Sequence, residues 1–535
     1  MRITNNMIVG NTKTNINSNK VLVDKYNTQM TTQKKISKAS ENPVVAIRSL
    51  RLSTSLTHLD QFSTNIGDAD SWLDVTFTAL NNMKTILTDI RTQCVNGSTD
   101  TLTDSDRNTI LKQLTAMASQ VYTEGNADYA GRTVFTGYRT SSSLTFNQEE
   151  KDISYEITQN FSYKDFQEKR YYSGNVEVPT TVSPGDEKCD VEISERSYNR
   201  LRLGYGSIDD VNSIDATLED GTELTIDFEN GTIGSYREFV DEDDNVIIYE
   251  DDSYGVVNTY DTYLDWENAT GGQIVDANEI VVIRETGEVI MGDDIYKDMA
   301  DGKAQINVSY NKTGFESGDA RPEFYYDCRD LTGCYNADGE LDDDLVEQNA
   351  IDYTKENQEI IYSIAANTSL VVNTQASDVF DTSIKRDVKE MIGIVSDAIA
   401  AHDRVKDIEG MMKEEQNSDP ARQEILKSYL EAAKKEADYA DNNLQKTYSQ
   451  YIGNFDKYLE NVNLAITNVG TTQIRLDLTR NRVENQQTTI EELKSANEDR
   501  DISDIIIDYY AAYNAYQASL TSASRVGEQT LLNYL

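Results

Sequence analysis

The sequence predicts an α + β multi-domain chain, with terminal helices suited to pair as a coiled coil, a bundle of long helices, and a β-rich inserted region. Three observations lead there. Apolar residues recur with helical spacing toward both ends; the middle breaks into short apolar runs separated by Gly, Asn and Asp; and the two ends carry opposite charge.

The C-terminal stretch is the most distinctive. Ile502, Tyr509, Tyr516 and Ala523 stand seven apart, Ile505, Ala512 and Val526 lie three places on, and Ile506, Tyr513 and Leu520 run alongside, which makes one broad apolar stripe. From Tyr509 to Ser524 there is no charged residue, in a chain that is 27% charged. Neutral Asn514, Gln517, Ser519, Thr521 and Ser522 occupy positions where a solvated helix would carry Lys and Glu. Such a helix avoids burying unpaired charge when protein surrounds it, whether its own domain or an assembly. At the other end, Val9, Ile16, Val23 and Met30 repeat every seven residues among mostly neutral polar neighbours. Residues 1 to 40 hold seven Lys and Arg against Asp24, a net of +6, whereas 496 to 535 hold two Arg against six acids, a net of −4. The ends are complementary, and the acidity of the chain lies between them.

Composition narrows the function classes. A length of 535 residues suggests three or four domains. A net charge of −44 argues against nucleic acid and anionic lipid as main partners. There is no apolar run long enough to span a membrane, and Met1 to Lys20 is too polar for the apolar core of a secretory signal. The expectation is a chain with no membrane insertion that is soluble or leaves the cell by a route needing no such signal. Cys94, Cys189, Cys328 and Cys334 are too scattered for a disulfide framework, although Cys328 and Cys334 are close enough for a bridge, with free thiols as the alternative. Five prolines suit long helices.

In chain order, the first helix gives way to a polar break from Ile36 to Pro43, and Pro43 fits the first turn of a new helix. Ile66, Leu73, Leu80, Leu87 and Cys94, with Ala69, Thr76, Met83 and Ile90, then form a coiled-coil-like seam roughly 45 Å long. Asn96-Gly97 is expected to end it through left-handed backbone. A third helix from about Ser105 carries Ile110, Leu114, Met117 and Val121 on one face, and Thr133 to Thr136 reads as a short strand. Between about Thr140 and Gln375, runs such as Ile226–Phe228, Val246–Tyr249, Ile280–Ile283 and Ile306–Tyr310 alternate with turn signals at Asp220-Gly221, Asn230-Gly231 and Gly271-Gly272. This is a β-rich insertion of one or two small domains. From Asp378 helices return: Ile384, Val388, Met391, Ile392, Val395 and Ile399 form one face, and Asp419-Pro420 caps and starts the next helix. Val462, Val469, Leu476, Val483 and Ile490, with Leu493 beside the last, form the natural partner seam for Ile66 to Cys94. Its alternate positions, Thr472, Thr479 and Gln486, are polar, which favours a multi-helix bundle over an isolated coiled coil.

No catalytic residue, cofactor site or metal site is expected. The only histidines, His58 and His402, lie far apart in predicted helices and read as surface or seam residues. No phosphate loop or dinucleotide turn is present, and no aromatic-lined cluster singles out two carboxylates for glycoside hydrolysis. The acid runs Asp241–Asp244, Glu250–Asp252 and Asp342–Asp344 lack the spaced ligands, turn Gly and terminal Glu of a calcium loop and read as solvated faces. Trp72 on the helical seam reads as core.

Several stretches resemble a known family. Met1-Arg-Ile-Thr4, the segment Asn96 to Arg107, Asn126-Ala-Asp-Tyr-Ala-Gly-Arg-Thr-Val-Phe-Thr-Gly-Tyr138, Asn497-Glu-Asp-Arg-Asp501 and Leu531-Leu-Asn-Tyr-Leu535 are similar to marks of the flagellin-like axial proteins of bacterial flagella. The Asn126–Tyr138 stretch resembles the branch that joins hook to filament. The likeness covers roughly 1–145 and 370–535. It implies a terminal coiled-coil domain of the inner tube (1–42 and 497–535), a helical bundle (43–140 and 370–496) and an outward-facing β-rich insertion (141–369, as one or two subdomains). It also implies a structural subunit, not an enzyme: an extracellular homo-oligomeric ring at the hook–filament junction, contacting the first hook-associated protein and flagellin. An export chaperone and the flagellar export apparatus would deliver it without a cleaved signal. The expected assembly contacts are Ile3, Met7, Ile16, Val23, Ile502, Tyr509, Tyr516, Leu520, Leu532 and Leu535. A filament flagellin, and a surface-displayed binding module using 141–369, are the alternative readings.

Overall fold

The computed structural model describes residues 5–99, 104–174, 176–228, 230–240, 246–271, 274–336 and 341–528. Its helices are α1 (Asn5–Thr32), α2 (Pro43–Gly97), α3 (Asp104–Glu124), α4 (Tyr263–Thr270), α5 (Asp293–Asp301), α6 (Asp343–Asn349), α7 (Ser383–Lys413), α8 (Pro420–Glu498) and α9 (Ile502–Glu528). The chain divides into two compact units. One comprises Met1–Asp70, Ile361–Val371 and Thr472–Leu535; the other comprises Ser71–Ile360 and Val372–Thr471.

The first unit contains α1, α9 and parts of α2 and α8. Here α2 and α8 are antiparallel: Arg480 pairs with Asp70 at 2.8 Å, Gln487 donates to Asp60 at 2.9 Å, and Asn497 Nδ2 donates to the Val45 carbonyl at 3.1 Å. Leu476 and Val483 are buried as the seven-residue repeat requires. Leu493 departs from the expected seam and is exposed, because it is off the face that Val483 and Ile490 share. A hairpin of Ile361–Ala365 with Thr368–Val371 turns at Asn367, whose φ is +56°, and its Ser363 carbonyl accepts from Asn65 at 2.7 Å.

In the second unit α2 buries Leu73, Thr76, Leu80, Met83, Leu87, Ile90 and Cys94, and α8 buries Phe455, Val462 and Val469. Arg91 reaches Asp456 at 2.6 Å. Trp72 is core, with its ring edge-on to Tyr129 at 6.2 Å. Gly97 corrects the sequence reading, since its backbone is not left-handed. The glycine is there because Tyr448 lies against it: a Cβ would stand 2.6 Å from that ring. Arg107 of α3 and His402 of α7 meet on Asp441 of α8 at 2.9 and 3.0 Å, which places His402 in a helix seam. Asp419 caps α8 by accepting from the Ala421 amide at 2.8 Å.

The strands between Glu150 and Tyr353 join one 12-stranded sheet. Its spatial order is Ile351–Tyr353, Asp327–Asp330, Glu150–Ser162, Gln305–Phe315, Asp210–Thr217, Thr222–Asp227, Thr232–Val240, Val246–Tyr260, Glu279–Ile283, Glu288–Met291, Ser194–Arg202 and Gln167–Ser173. Neighbours are antiparallel except Val246–Tyr260 with Glu279–Ile283, which are parallel and linked through α4, as a parallel pair requires. Ile280 and Val282 point into one core, while Val281 and Ile283 point to the other face against Trp266 of α4. A strand covered on both faces reads as a continuous apolar run, which is why Ile280–Ile283 does not alternate. The expected strand at Thr133–Thr136 is shorter, Arg132–Thr133 paired with Asp128–Tyr129.

The middle region leaves and rejoins the helices at one place. The Tyr138 amide donates to Gln358 Oε1 at 2.8 Å, and the Ala376 amide donates to the Phe135 carbonyl at 3.0 Å. Gly137, with φ +59°, is pressed against Gln358. Cys328 and Cys334 are buried free thiols. The acid run at Asp342 serves locally: the Asp342 side chain accepts from the Asp344 and Leu345 amides and caps α6. The Asp241–Asp244 run lies outside the described residues, and of Glu250–Asp252 only the strand is described.

Candidate assembly interface

Within the first unit, α1 and α9 pack side by side and antiparallel. Asn19 Nδ2 donates to the Ala515 carbonyl and to Ser519 Oγ, both at 3.3 Å, while Arg500 donates to Gln29 Oε1 at 3.0 Å. Ile16, Asn19, Val23, Tyr26 and Met30 are half-buried on the α1 side. Opposite them, Ile505 and Ala512 are buried and Tyr509, Tyr516, Ser519 and Ala523 half-buried on α9. Spacings of three and four on both helices make this a coiled-coil seam.

The seam is closed at one end by a polar clasp. Lys34 pairs with Asp499 at 2.6 Å and Glu498 at 3.0 Å. Lys35 donates through its amide to the Glu498 carbonyl and through Nζ to the Ala496 carbonyl, both at 2.6 Å. The Arg500 amide returns the bond to the Gln33 carbonyl at 2.9 Å, and Gln33 itself is left-handed, with φ +57°, where α1 ends. Buried Gln29 donates to the Lys35 carbonyl at 2.6 Å; Arg500 pairs with Asp508 and lies 5.7 Å from the Tyr26 ring. Hydrogen bonds from Lys34 hold the Asp499 carboxyl below its ordinary range. At Glu498 burial pushes the pKa up, but bonds from Ser49 and Lys34 outweigh it and the net shift is downward. Bonds to both carboxylates raise Lys34.

Away from the seam the pair also exposes apolar side chains. Val21 and Leu22 on α1, and Ile506, Ile507, Tyr510 and Tyr513 on α9, face solvent in the monomer, with Ile507 66% and Tyr510 61% exposed. Of the sequence-selected residues, Ile16, Val23, Tyr509 and Tyr516 lie on the seam, and Met7, Ile502 and Leu520 are exposed. Ile3, Leu532 and Leu535 lie outside the described residues. Sequence reasoning missed Val21, Leu22, Ile507 and Tyr510 because they fall off the seven-residue repeat. It also missed the roles of Gln29, Lys34 and Lys35, for which the opposite charge of the two ends was the available signal.

A family profile described as the bacterial flagellin N-terminal helical region matches residues 3–140, which span α1, α2 and α3. Over that stretch the chain is flagellin-like. The matched stretch supplies α1, one side of the seam. Comparison with curated proteins finds no match. Among solved structures, a putative flagellar hook-associated protein from Vibrio parahaemolyticus is similar at 10% identity, covering 86% of this chain and all of its own, with a TM-score of 0.34. Flagellar hook-associated protein-3 from Legionella pneumophila shares 9% identity over 83% of this chain and 96% of its own, with a TM-score of 0.26. FlgL from Xanthomonas campestris shares 10% over 83% and 99%, with a TM-score of 0.23. No described helix is long and apolar enough to cross a membrane, and no group of three or more potential metal ligands stands together among the described residues.

Proposed function

We propose that the chain is a structural subunit of the bacterial flagellum that joins hook to filament, working by binding energy and not by catalysis. The observation that carries the assembly reading is the apolar outer face of the α1/α9 pair: Val21, Leu22, Ile507 and Tyr510 are exposed, and no charge from Tyr509 to Ser524 favours water. Two helices that use one seam on each other and keep a second apolar stripe suit burial against identical helices of neighbouring copies in a closed ring. In this reading Ile16, Val23, Tyr509 and Tyr516 fix the seam that presents the outer face. Met7, Ile502 and Leu520, with Ile3, Leu532 and Leu535, reach the neighbours. The first hook-associated protein and flagellin would stand on either side, and an export chaperone would shield the same stripes before export. The junction role itself is favoured by the likeness of Gly131–Tyr138 to the junction branch of the family.

Immunogold labelling of intact flagella with antibody against residues 141–369 tests this. Label in a narrow zone between hook and filament is expected. Label along the whole filament would make the chain a filament flagellin.

A further inference from the structure

The second unit encloses a cavity of about 800 Å³ between α7 and the sheet, which is lined by Tyr205, Thr286, Lys312 and Arg386 among others. Around it the buried carboxylates are already matched. Glu288 is held by Arg200 and Lys169, Glu390 by Arg200 and Arg202, Asp387 by Arg202, and Asp319 by Lys385 at 2.8 Å. Glu285, Glu316 and Asp397 are exposed. Of the cations in its lining that are not exposed, Lys312 and Arg386 are left without an ion pair among the described residues. Lys312 is 5% exposed, donates to the Gly206 and Ser207 carbonyls at 3.0 and 3.3 Å, lies 5.0 Å from the Phe315 ring centroid, and has no carboxylate within ion-pair distance among the described residues. Arg386 donates to the Tyr205 carbonyl at 3.1 Å and to the Thr286 carbonyl, and it too lacks an ion pair there. In the lining of the same cavity, the Thr286 hydroxyl is buried with no hydrogen-bond partner among the described residues.

Burying unpaired cations is costly, and more so beside other cations. Burial, with Arg202 nearby, pushes Arg386 down to about 10, and burial lowers Lys312 as well. A chain of net charge −44 has no shortage of acids to place at this spot. Carbonyl bonds use two of the donors on each side chain, and a lysine ammonium has a third while a guanidinium has five. We propose that the Lys312–Arg386 end of this cavity binds an oxyanion, a phosphate or a carboxylate, with Thr286 donating the third bond. The anion could arrive free or as the acid group of a sugar.

The test is thermal unfolding and titration calorimetry of the full chain with inorganic phosphate and, separately, with galacturonate and its oligomers, at constant ionic strength set by chloride. Saturable stabilisation is expected, following the mass-action dependence on ligand concentration. Arg386→Gln and Thr286→Val should each weaken it, Arg386→Gln by about tenfold or more, as for a lost charge-assisted hydrogen bond, while Arg329→Gln on the exposed Asp352 pair should not. Stronger response to phosphate identifies a free anion, and stronger response to oligogalacturonate a sugar acid. No saturable response over chloride, or an equal response in wild type and both cavity variants, overturns the site. Thr286→Val removes only a hydroxyl, so the test stands even where the arginine variant fails to fold.

Discussion

The Tyr448 ring stands where a side chain at position 97 would have to go: a Cβ on Gly97 would meet its Cζ at 2.6 Å and its hydroxyl at 2.7 Å. Tyr448 is 2% exposed and has little room to retreat. Gly97→Ala should therefore lower stability by about 1–3 kcal/mol through overpacking, in spite of alanine's better helix propensity. Thermal unfolding measures this, and shortening the ring with Tyr448→Leu in the same chain should recover part of the loss. An alanine variant at least as stable as wild type would show that Tyr448 moves aside freely.

Asp387 is fully buried and accepts from Arg202, from Asn454 at 3.1 Å and from Tyr458 at 2.9 Å. Asp387→Ala takes away the nearer of the two carboxylates on Arg202, leaving it Glu390 alone, strands the Tyr458 hydroxyl in the interior, and should cost about 3 kcal/mol. Hydrogen exchange of the amides in Ser194–Arg202 and in α7 should speed up together. Acceleration confined to one of them would show that the pair does not couple strand to helix.

The clasp gives the α1/α9 pair a pH dependence with a definite sign. Asp499 and Glu498 are depressed in the folded chain, so their contribution is present above their unfolded pKa values and is lost as pH falls through the folded ones, below about pH 4. Lys34 is raised, so its share is present below its unfolded pKa near 10.5 and is lost as pH rises through the folded one. Lys34 and Asp499 are each more than a third exposed, so solvent screening keeps the effect small. Lys34→Met should flatten the acid limb of a proteolysis profile across the Gln33–Arg500 region. An unchanged limb would mean that Lys34 is not what lowers the carboxylates.

On the outer face of α9, Ile507→Asp and Tyr510→Glu should change monomer stability by no more than about 0.5 kcal/mol, as exposed positions do. The same variants should abolish self-association in sedimentation velocity and block motility. Loss of monomer fold would make these positions part of the chain's own core; unaffected association would remove this face from the interface.

Legibility in the sequence followed range. The seam from Ile66 to Cys94 was visible because its residues repeat along one helix, and every apolar member of it is buried. Ile280–Ile283 was visible as a strand because a doubly covered strand is apolar throughout. Gly97 was misread because the reason for it, Tyr448, lies hundreds of residues away in sequence. The network of Lys169, Arg200, Arg202, Glu288, Asp387 and Glu390 was invisible for the same reason, since its members come from three strands and one helix that only the strand order brings together. In the candidate interface the seam residues of α9 were legible by period. The exposed stripe with Ile507 and Tyr510 was not, because a second apolar face has no counterpart within the chain to fix its phase.

The bonds from Tyr138 to Gln358 and from Ala376 to Phe135 make the middle region a detour that returns to its point of departure. Closing such a detour costs an entropy that grows only with the logarithm of its length, so doubling the number of residues beyond it adds roughly 0.6 kcal/mol. Natural selection can therefore lengthen, trim or exchange this segment while the host helices keep their register. The sheet beyond the closure and the helices before it can then change at separate rates within one polypeptide.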